Sequence, residues 1–134
     1  MAWLPVVLWA ALIFVLSSIP GTSLPTVEVP QADKMVHTLI YGVLGALVLR
    51  ALDGVGAPGV GARWVGARGV LLAAALATLY GISDEIHQLW TPHRSADWHD
   101  VVADAVGGLS GALALVGGRW MKIRGCFMMR ASKD

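Results

Sequence analysis

The stretch YGISDEIHQLWTPHRSADWHDVVAD, residues 80–104, decides the fold of this chain. It carries three of the chain's four histidines and five of its nine acidic residues, yet long apolar segments stand on both sides of it. Ionisable groups inside a bilayer are costly unless they are paired or hydrated, so they turn toward the interior of a helix bundle. We therefore expect this stretch to join two membrane-spanning helices at their wet ends.

The composition is that of an integral membrane protein. Of the 134 residues, 56% are hydrophobic and only 14% are charged, whereas a soluble domain carries roughly a quarter charged residues. The net charge of +1 gives no reason to expect a nucleic-acid partner, and membrane lipids are the expected surroundings. The single cysteine excludes an intrachain disulfide framework.

Four apolar segments predict an all-α bundle of four transmembrane helices. Each segment is close to the roughly 20 residues that cross the hydrocarbon core. The predicted helices cover about residues 3–19, 34–52, 70–89 and 97–116. The first ends at a Ser-Ser-Ile-Pro-Gly run, which stops a helix. We place a transmembrane domain at residues 1–118 and a basic cytoplasmic tail at residues 119–134.

The distribution of basic residues predicts the orientation. Eight of the ten lysines and arginines lie in the 50–68 connection or after the fourth helix, whereas only Lys34 and Arg94 lie on the other side. Basic residues concentrate on the cytoplasmic side of membrane proteins. We therefore expect a multi-pass protein of the cell membrane with both termini in the cytoplasm, and with the connections 20–33 and 90–98 facing outward.

Helical periodicity groups the polar residues on three faces, each on a different helix. The faces comprise Asp33, His37 and Tyr41; Tyr80, Asp84 and His87, with Gln88 at the edge; and Asp97, Asp100 and Asp104. Antiparallel packing brings the three faces to one level near the outer surface. Gly107, Gly108 and Gly111 let the fourth helix approach its neighbours closely, and Ser95 is its expected N-cap.

Three segments carry a family resemblance. DKMVHTLIYGVLGALVL (33–49) and YGISDEIHQLWTPHRSADWHDVVADAVGGLSGAL (80–113) resemble the VanZ-like family of small integral membrane proteins, and FVLSSIP (14–20) resembles the end of that family's first helix. The family's pattern falls on Asp33, Lys34, His37, Tyr41, Asp84, Glu85, Gln88, Arg94, Ser95, Asp100, Asp104, Gly107 and Gly111. Asp104 departs from it, because the family usually has asparagine there.

The resemblance implies cell-envelope biology without supplying a reaction. The family takes its name from a protein linked to low-level resistance to the glycopeptide teicoplanin. The implied function is a cell-envelope membrane protein whose outward-facing polar pocket binds or processes an envelope lipid, a cell-wall precursor or a glycopeptide-type ligand. A purely structural membrane protein and a small transporter or proton-relay subunit are the alternatives, and the transporter requires a homo-oligomer because four helices are few.

The polar residues by themselves also fit a structural network or a metal site. In a network, Lys34 and Arg94 neutralise two carboxylates, but seven acidic residues on the outer side face only these two bases, which leaves an excess of negative charge. His37, His87, Asp84 and Asp100 are acceptable nitrogen and oxygen ligands. Their spacing matches no metal motif, so no residue is assigned as a metal ligand and no cofactor is named.

An enzyme or a binding protein uses the same residues differently. The candidate catalytic residues are His37 as general acid or base, with Asp84 or Asp100 orienting it. Lys34 and Arg94 would hold an anionic group such as a lipid-linked phosphate, and Tyr41 or Tyr80 would donate a hydrogen bond. The full set of expected ligand-binding residues is Lys34, Tyr41, Glu85, Gln88, Arg94 and Asp104.

Overall fold

The structure is a computed structural model that describes residues 1–23, 31–54 and 66–131. The described residues form four α-helices, which are α1 (Leu4–Ser17), α2 (Ala32–Gly54), α3 (Ala67–Gln88) and α4 (Trp98–Ala131), and a short 3₁₀ turn follows α1. The predicted all-α four-helix bundle is therefore confirmed. Glu28, which was counted among the outer acidic residues, lies outside the described residues.

Three of these helices have the length and composition of membrane spans. They are α2, α3 and the Trp98–Arg119 part of α4. Helix α1 has 14 residues, or about 21 Å at 1.5 Å per residue, whereas the hydrocarbon core is about 30 Å thick. It is shorter than the predicted first span, because Trp3 precedes its first turn and the helix ends at Ser17, ahead of Pro20.

Helix α4 is longer than predicted. The apolar pattern ends near residue 116, but the helix continues without interruption to Ala131. Gly117 and Gly118 do not stop it. The residues beyond them include no proline, and their Arg, Lys and Met side chains have high helix propensity.

Contacts at both ends of α1 show that it runs antiparallel to α2. A Cβ built on Gly54, at the end of α2, would lie 2.9 Å from the Cβ of Ala2. At its other end, the Ser18 Oγ lies 3.1 Å from the His87 Nε2, in the last turn of α3. The first helix therefore extends from the level where α2 ends to the level where α3 ends.

The two ends of the bundle are named by their charged residues. The polar end contains the start of α2, the end of α3 and the start of α4, with His37 and Asp100 among its side chains. The opposite end contains the end of α2 and an ion pair between Asp53 and Arg119. Because the three long helices alternate in direction, the same helices supply both ends.

Helix α4 packs directly against the backbone of α2. A side chain added at Gly107 would overlap the carbonyl of Thr38, and one added at Gly111 would overlap the carbonyl of Gly42. Small residues at a helix interface allow this close approach. The predicted role of Gly107 and Gly111 in drawing the fourth helix close is therefore confirmed.

The distribution of polarity is the reverse of that in a soluble protein. The buried polar residues include Asp84, Glu85, Gln88, Asp100 and Asp104. Large apolar side chains cover the outside of the three long helices, among them Leu39, Leu71, Leu79, Val106 and Leu113. This arrangement suits lipid surroundings, because the charged groups pair inside the bundle while the apolar groups face acyl chains.

Candidate functional site

An ion-pair cluster surrounds Lys34 in the first turn of α2. The Lys34 Nζ lies 2.8 Å from one carboxylate oxygen of each of Asp33, Asp97 and Asp100. An ammonium group has three N–H donors, and here each has a carboxylate within reach. The charge of Lys34 is thus balanced within the protein, and the cluster ties the start of α2 to the start of α4.

Asp97 caps α4, which begins at the next residue. Its Oδ1 accepts a hydrogen bond of 2.9 Å from the backbone N–H of His99, as an N-cap carboxylate does. The prediction that Ser95 is the N-cap is wrong, because the helix begins three residues after it. The Lys34 ammonium, and next the His99 N–H, hold the pKa of Asp97 well below its ordinary value.

His37 and Asp104 form a pair one turn deeper in the bundle. The His37 Nδ1 lies 2.9 Å from the Asp104 Oδ1, and the His37 Nε2 lies 4.0 Å from the Asp100 Oδ2. Asp104 is fully buried. Gly81 on α3 makes room for it, because a side chain there would overlap the Asp104 carboxylate. The pair fixes the orientation of the imidazole ring.

Glu85 connects α3 to this group. Its Oε2 accepts a hydrogen bond of 2.7 Å from the backbone N–H of Asp97, and Gln88 donates a longer one of 3.5 Å to its Oε1. His37, Glu85 and Asp100 each offer one ligand atom, and these atoms lie within 4.8 Å of one another. Among the described residues, these three side chains are the group that could hold a metal ion.

A cavity of about 460 Å³ lies beside these residues, between α1, α2 and α3, and a volume of this size is typical of small-molecule pockets. Its polar wall comprises Asp33, His37, Tyr41, Asp84, Gln88 and Arg94, with Ser17. Its apolar wall includes Ile13, Leu16, Ile19, Val36 and Ile40. The Tyr41 hydroxyl is buried and has no hydrogen-bond partner among the described residues.

Comparison with protein families identifies the family of this chain. The family model described as VanZ/LLP1 matches residues 2–120, a range that includes every residue of the site. The chain belongs to the VanZ/LLP1 family. It is therefore a VanZ-like membrane protein of the cell envelope. No curated protein and no solved structure matches it.

The predicted site residues of this VanZ/LLP1 chain all lie at the polar end, in two layers. His37, Tyr41, Asp84, Gln88 and Arg94 line the cavity. The remaining predicted residues form the second layer, outside the cavity lining, and are Lys34, Glu85, Asp100 and Asp104. Asp33 and His37 of the cavity wall also contact the second layer, since Asp33 pairs with Lys34 and His37 pairs with Asp104.

Two residues that periodicity assigned to the site turn toward α1 instead. The His87 ring centroid lies 4.5 Å from that of Phe14. The Tyr80 hydroxyl donates a hydrogen bond of 2.6 Å to the carbonyl of Ala10. Periodicity within α3 defines a face but does not say which neighbouring helix covers each part of it.

Arg94 of the VanZ/LLP1 pattern contacts the end of α1. Its Nε and Nη2 donate hydrogen bonds of 3.3 Å and 3.4 Å to the carbonyls of Ile19 and Leu16. A cation near the last carbonyls of a helix offsets the negative end of the helix dipole. Arg94 thus attaches α1 to the α3–α4 connection and closes one side of the cavity.

Proposed function

We propose that this VanZ/LLP1 protein binds an envelope amphiphile, either a lipid or a lipid-linked cell-wall precursor, in the cavity at the polar end. The buried Tyr41 hydroxyl carries this proposal, because it has no hydrogen-bond partner in the described part of the chain and Tyr41 lines a cavity with one polar and one apolar wall. A buried polar group without a partner costs about 1–3 kcal/mol. A polar headgroup beside Tyr41 removes that cost while its acyl chain contacts the apolar wall.

The charges of the cavity wall favour a headgroup that donates hydrogen bonds. Asp33 and Asp84 line the wall. Lys34 is surrounded by three carboxylates and is not free to hold an anionic group, and the Nε and Nη2 of Arg94 already donate to backbone carbonyls. An amine or a hydroxyl-rich headgroup therefore fits this wall better than a bare phosphate does.

The orientation follows from the basic residues in the described ranges. Arg50 and Arg119 lie at the opposite end, where α2 ends and α4 leaves the span, and Arg68 starts α3 at the same level. The positive-inside rule favours a cytoplasmic location for that end. The cavity then opens to the outside of the cell membrane, and both termini lie in the cytoplasm. Alkaline phosphatase and fluorescent-protein fusions at the C-terminus test this orientation, with phosphatase inactive and fluorescence retained.

Two tryptophan substitutions on α2 test the binding proposal. Val36 lines the cavity, whereas Leu39 does not and is 69% exposed on the outer surface of the same helix. The full-length protein, purified in mild detergent, is mixed with phosphatidylethanolamine or phosphatidylglycerol and examined by native mass spectrometry. We expect the unsubstituted chain to prefer the amine lipid and Val36→Trp to weaken its binding about tenfold, or about 1.4 kcal/mol.

Leu39→Trp is the matched control, because it adds the same bulk on the lipid-facing side. It should bind the amine lipid as the unsubstituted chain does. Unchanged binding in Val36→Trp contradicts the cavity as the site. An equal loss in both variants also contradicts it, since the loss then reflects the bilayer-facing surface and not the cavity.

Acid–base catalysis on the bound amphiphile is the second candidate function. The observation that favours it is the pairing of His37 with Asp104, which orients a titratable ring at the cavity wall. Positioned acid–base groups contribute about 10²–10⁴-fold to rates. We expect product from envelope lipid extracts, with a loss of at least 10²-fold in His37→Gln and none in His87→Gln. Equal turnover in all three proteins removes this candidate.

A further inference from the structure

We propose that His37, Glu85 and Asp100 bind a divalent transition-metal ion such as Zn²⁺ at the polar end. The three residues come from α2, α3 and α4, and their ligand atoms lie within 4.8 Å of one another. Glu85 and Asp100 are buried, and the His37 side chain is 16% exposed. This inference goes beyond amphiphile binding and does not depend on it.

The contacts of His37 leave one ring nitrogen available. Its Nδ1 lies against Asp104, so a proton on Nδ1 is held by that carboxylate and Nε2 carries the lone pair. Histidine ligands in metal sites have this arrangement, in which a carboxylate behind the ring fixes the tautomer and raises the basicity of the metal-binding nitrogen. The free Nε2 faces Asp100 Oδ2 at 4.0 Å.

The two carboxylates are anchored in the same manner. Asp100 has its Oδ1 against the Lys34 ammonium, which leaves its Oδ2 on the side of His37. Glu85 has its Oε2 fixed by the backbone N–H of Asp97. The Oδ2 of Asp100 is thus available, and the Oε1 of Glu85 has only the long contact of 3.5 Å from Gln88. Outer contacts of this kind orient metal ligands.

The distances suit a small dication. Metal bonds of about 2.0–2.2 Å place neighbouring ligand atoms about 3.4 Å apart in a tetrahedral site. The separation of 4.0 Å between His37 and Asp100, and those of up to 4.8 Å within the group, close to this value with shifts of about 0.6–1.4 Å. One imidazole and two carboxylates match Zn²⁺ or Mn²⁺ better than Mg²⁺, and three protein ligands leave a position open.

The buried carboxylate of Asp104 adds negative charge behind the His37 ring. Asp104 is 0% exposed, and its Oδ2 has no hydrogen-bond partner among the described residues. Its other oxygen lies 2.9 Å from the His37 Nδ1. A metal ion on the far nitrogen of that ring supplies positive charge to the buried carboxylate through the imidazole.

The excess of acidic residues at the polar end also favours a bound cation. The described acidic residues of the polar end are Asp33, Asp84, Glu85, Asp97, Asp100 and Asp104, whereas its described lysines and arginines are Lys34 and Arg94. Buried negative charge in excess raises the free energy of the fold unless cations or protons offset it. A dication bound by Glu85, Asp100 and His37 reduces the excess by two charges.

Zinc binding to the purified full-length protein tests the proposal. The protein in detergent is stripped with EDTA, loaded with Zn²⁺, and titrated against a chromogenic chelator, with the bound zinc determined by elemental analysis. We expect about one Zn²⁺ per chain, and an affinity that falls about 10–100-fold in Glu85→Gln and in Asp104→Asn. His99→Ala and His87→Ala are the controls, since neither residue belongs to the group, and both should retain the affinity.

Each other outcome overturns the metal site. If no zinc binds to the unsubstituted chain, the site does not exist. An equal loss of affinity in His99→Ala and Glu85→Gln also overturns it, because such a loss indicates surface binding. Should both test variants fail to fold, the melting temperature of the unsubstituted chain decides, since a ligand of the native state raises it. We expect Zn²⁺ to raise it and Mg²⁺ to leave it unchanged, and equal effects overturn the site. The amphiphile experiment with Val36→Trp is unaffected by any of these results.

Discussion

The polar end and the opposite end of the bundle are built from the same three long helices but packed differently. At the polar end, a side chain at Gly81 or Gly107 would overlap a neighbouring helix, whereas Gly117, toward the opposite end, has no such atom within 4 Å. The polar end holds a cluster around Lys34, whereas one ion pair, Asp53–Arg119, joins the described side chains of the opposite end. At the polar end, close packing keeps the buried charged groups from acyl chains.

Removing one cation from each end should give the largest difference in the free energy of unfolding between the two ends. Lys34→Met leaves three carboxylates without their shared ammonium. Because the Lys34 side chain is 25% exposed, we expect a loss of about 2–4 kcal/mol, below the full cost of breaking a buried ion pair. Arg119→Met removes a single partner whose side chain is 34% exposed, so we expect a loss of about 1 kcal/mol or less. Unfolding in increasing SDS measures both, and equal losses contradict the difference between the ends.

Two glycine substitutions on α4 should differ by a smaller amount. Gly111→Ala places a methyl group against the Gly42 carbonyl, and overpacking of this kind costs about 1–3 kcal/mol. Gly117→Ala has open space and gains helix propensity, so it should stabilise the helix by up to about 1 kcal/mol. The same unfolding assay compares the two variants. A destabilised Gly117→Ala would show that the opposite end is also closely packed.

Replacing Asp104 by the residue usual in the family should change stability little. In Asp104→Asn the amide oxygen still accepts a hydrogen bond from the His37 ring, and the volume is conserved, so we expect a change below about 1 kcal/mol. Asp104→Leu is the comparison, because it leaves the ring nitrogen without an acceptor and should cost about 1–3 kcal/mol. Equal stability of the two variants indicates that the His37–Asp104 contact contributes nothing to the fold.

The smallest expected effect is the contribution of the Asp97 carboxylate to stability at acid pH. The Lys34 ammonium lowers the pKa of this carboxyl below its ordinary value of 3.8, so the folded state favours the ionised form. Its contribution is complete above the ordinary pKa and is lost as the pH falls through the lowered one. We expect the unsubstituted chain to lose more stability than Asp97→Asn between about pH 5 and pH 3. Identical pH profiles contradict this contribution.

The periodicity of the sequence was sufficient to predict that the main polar residues lie together at one end of the bundle. Helical spacing places His37 on the polar face of α2, and Asp100 and Asp104 on one face of α4. Antiparallel packing leaves few other arrangements for buried charges. The glycines at 107, 108 and 111 identified the close contact between α2 and α4 for the same reason. These features depend on the spacing within one helix, which the sequence gives directly.

Features that depend on α1 could not be predicted. His87 shares its helical face with Asp84, yet it contacts Phe14, because a helix face is wide enough to meet two neighbours. The Arg94 contacts with the carbonyls of α1 have no signal in the spacing of residues. Gly81 had a weaker signal, since a glycine within a polar helix face often marks a close approach that only the partner, here Asp104, explains.

The measurement that tests the account most directly is thiol labelling of intact cells with a membrane-impermeant maleimide. Cys126, the only native cysteine, is first replaced by serine, and Val36→Cys or Leu39→Cys is then added. A thiol at position 36 lies in the cavity, whereas one at position 39 faces lipid. We expect labelling of Val36→Cys from outside and none of Leu39→Cys. Labelling of Val36→Cys only after the membrane is broken, or equal labelling at both positions, would contradict a hydrated cavity that opens to the exterior.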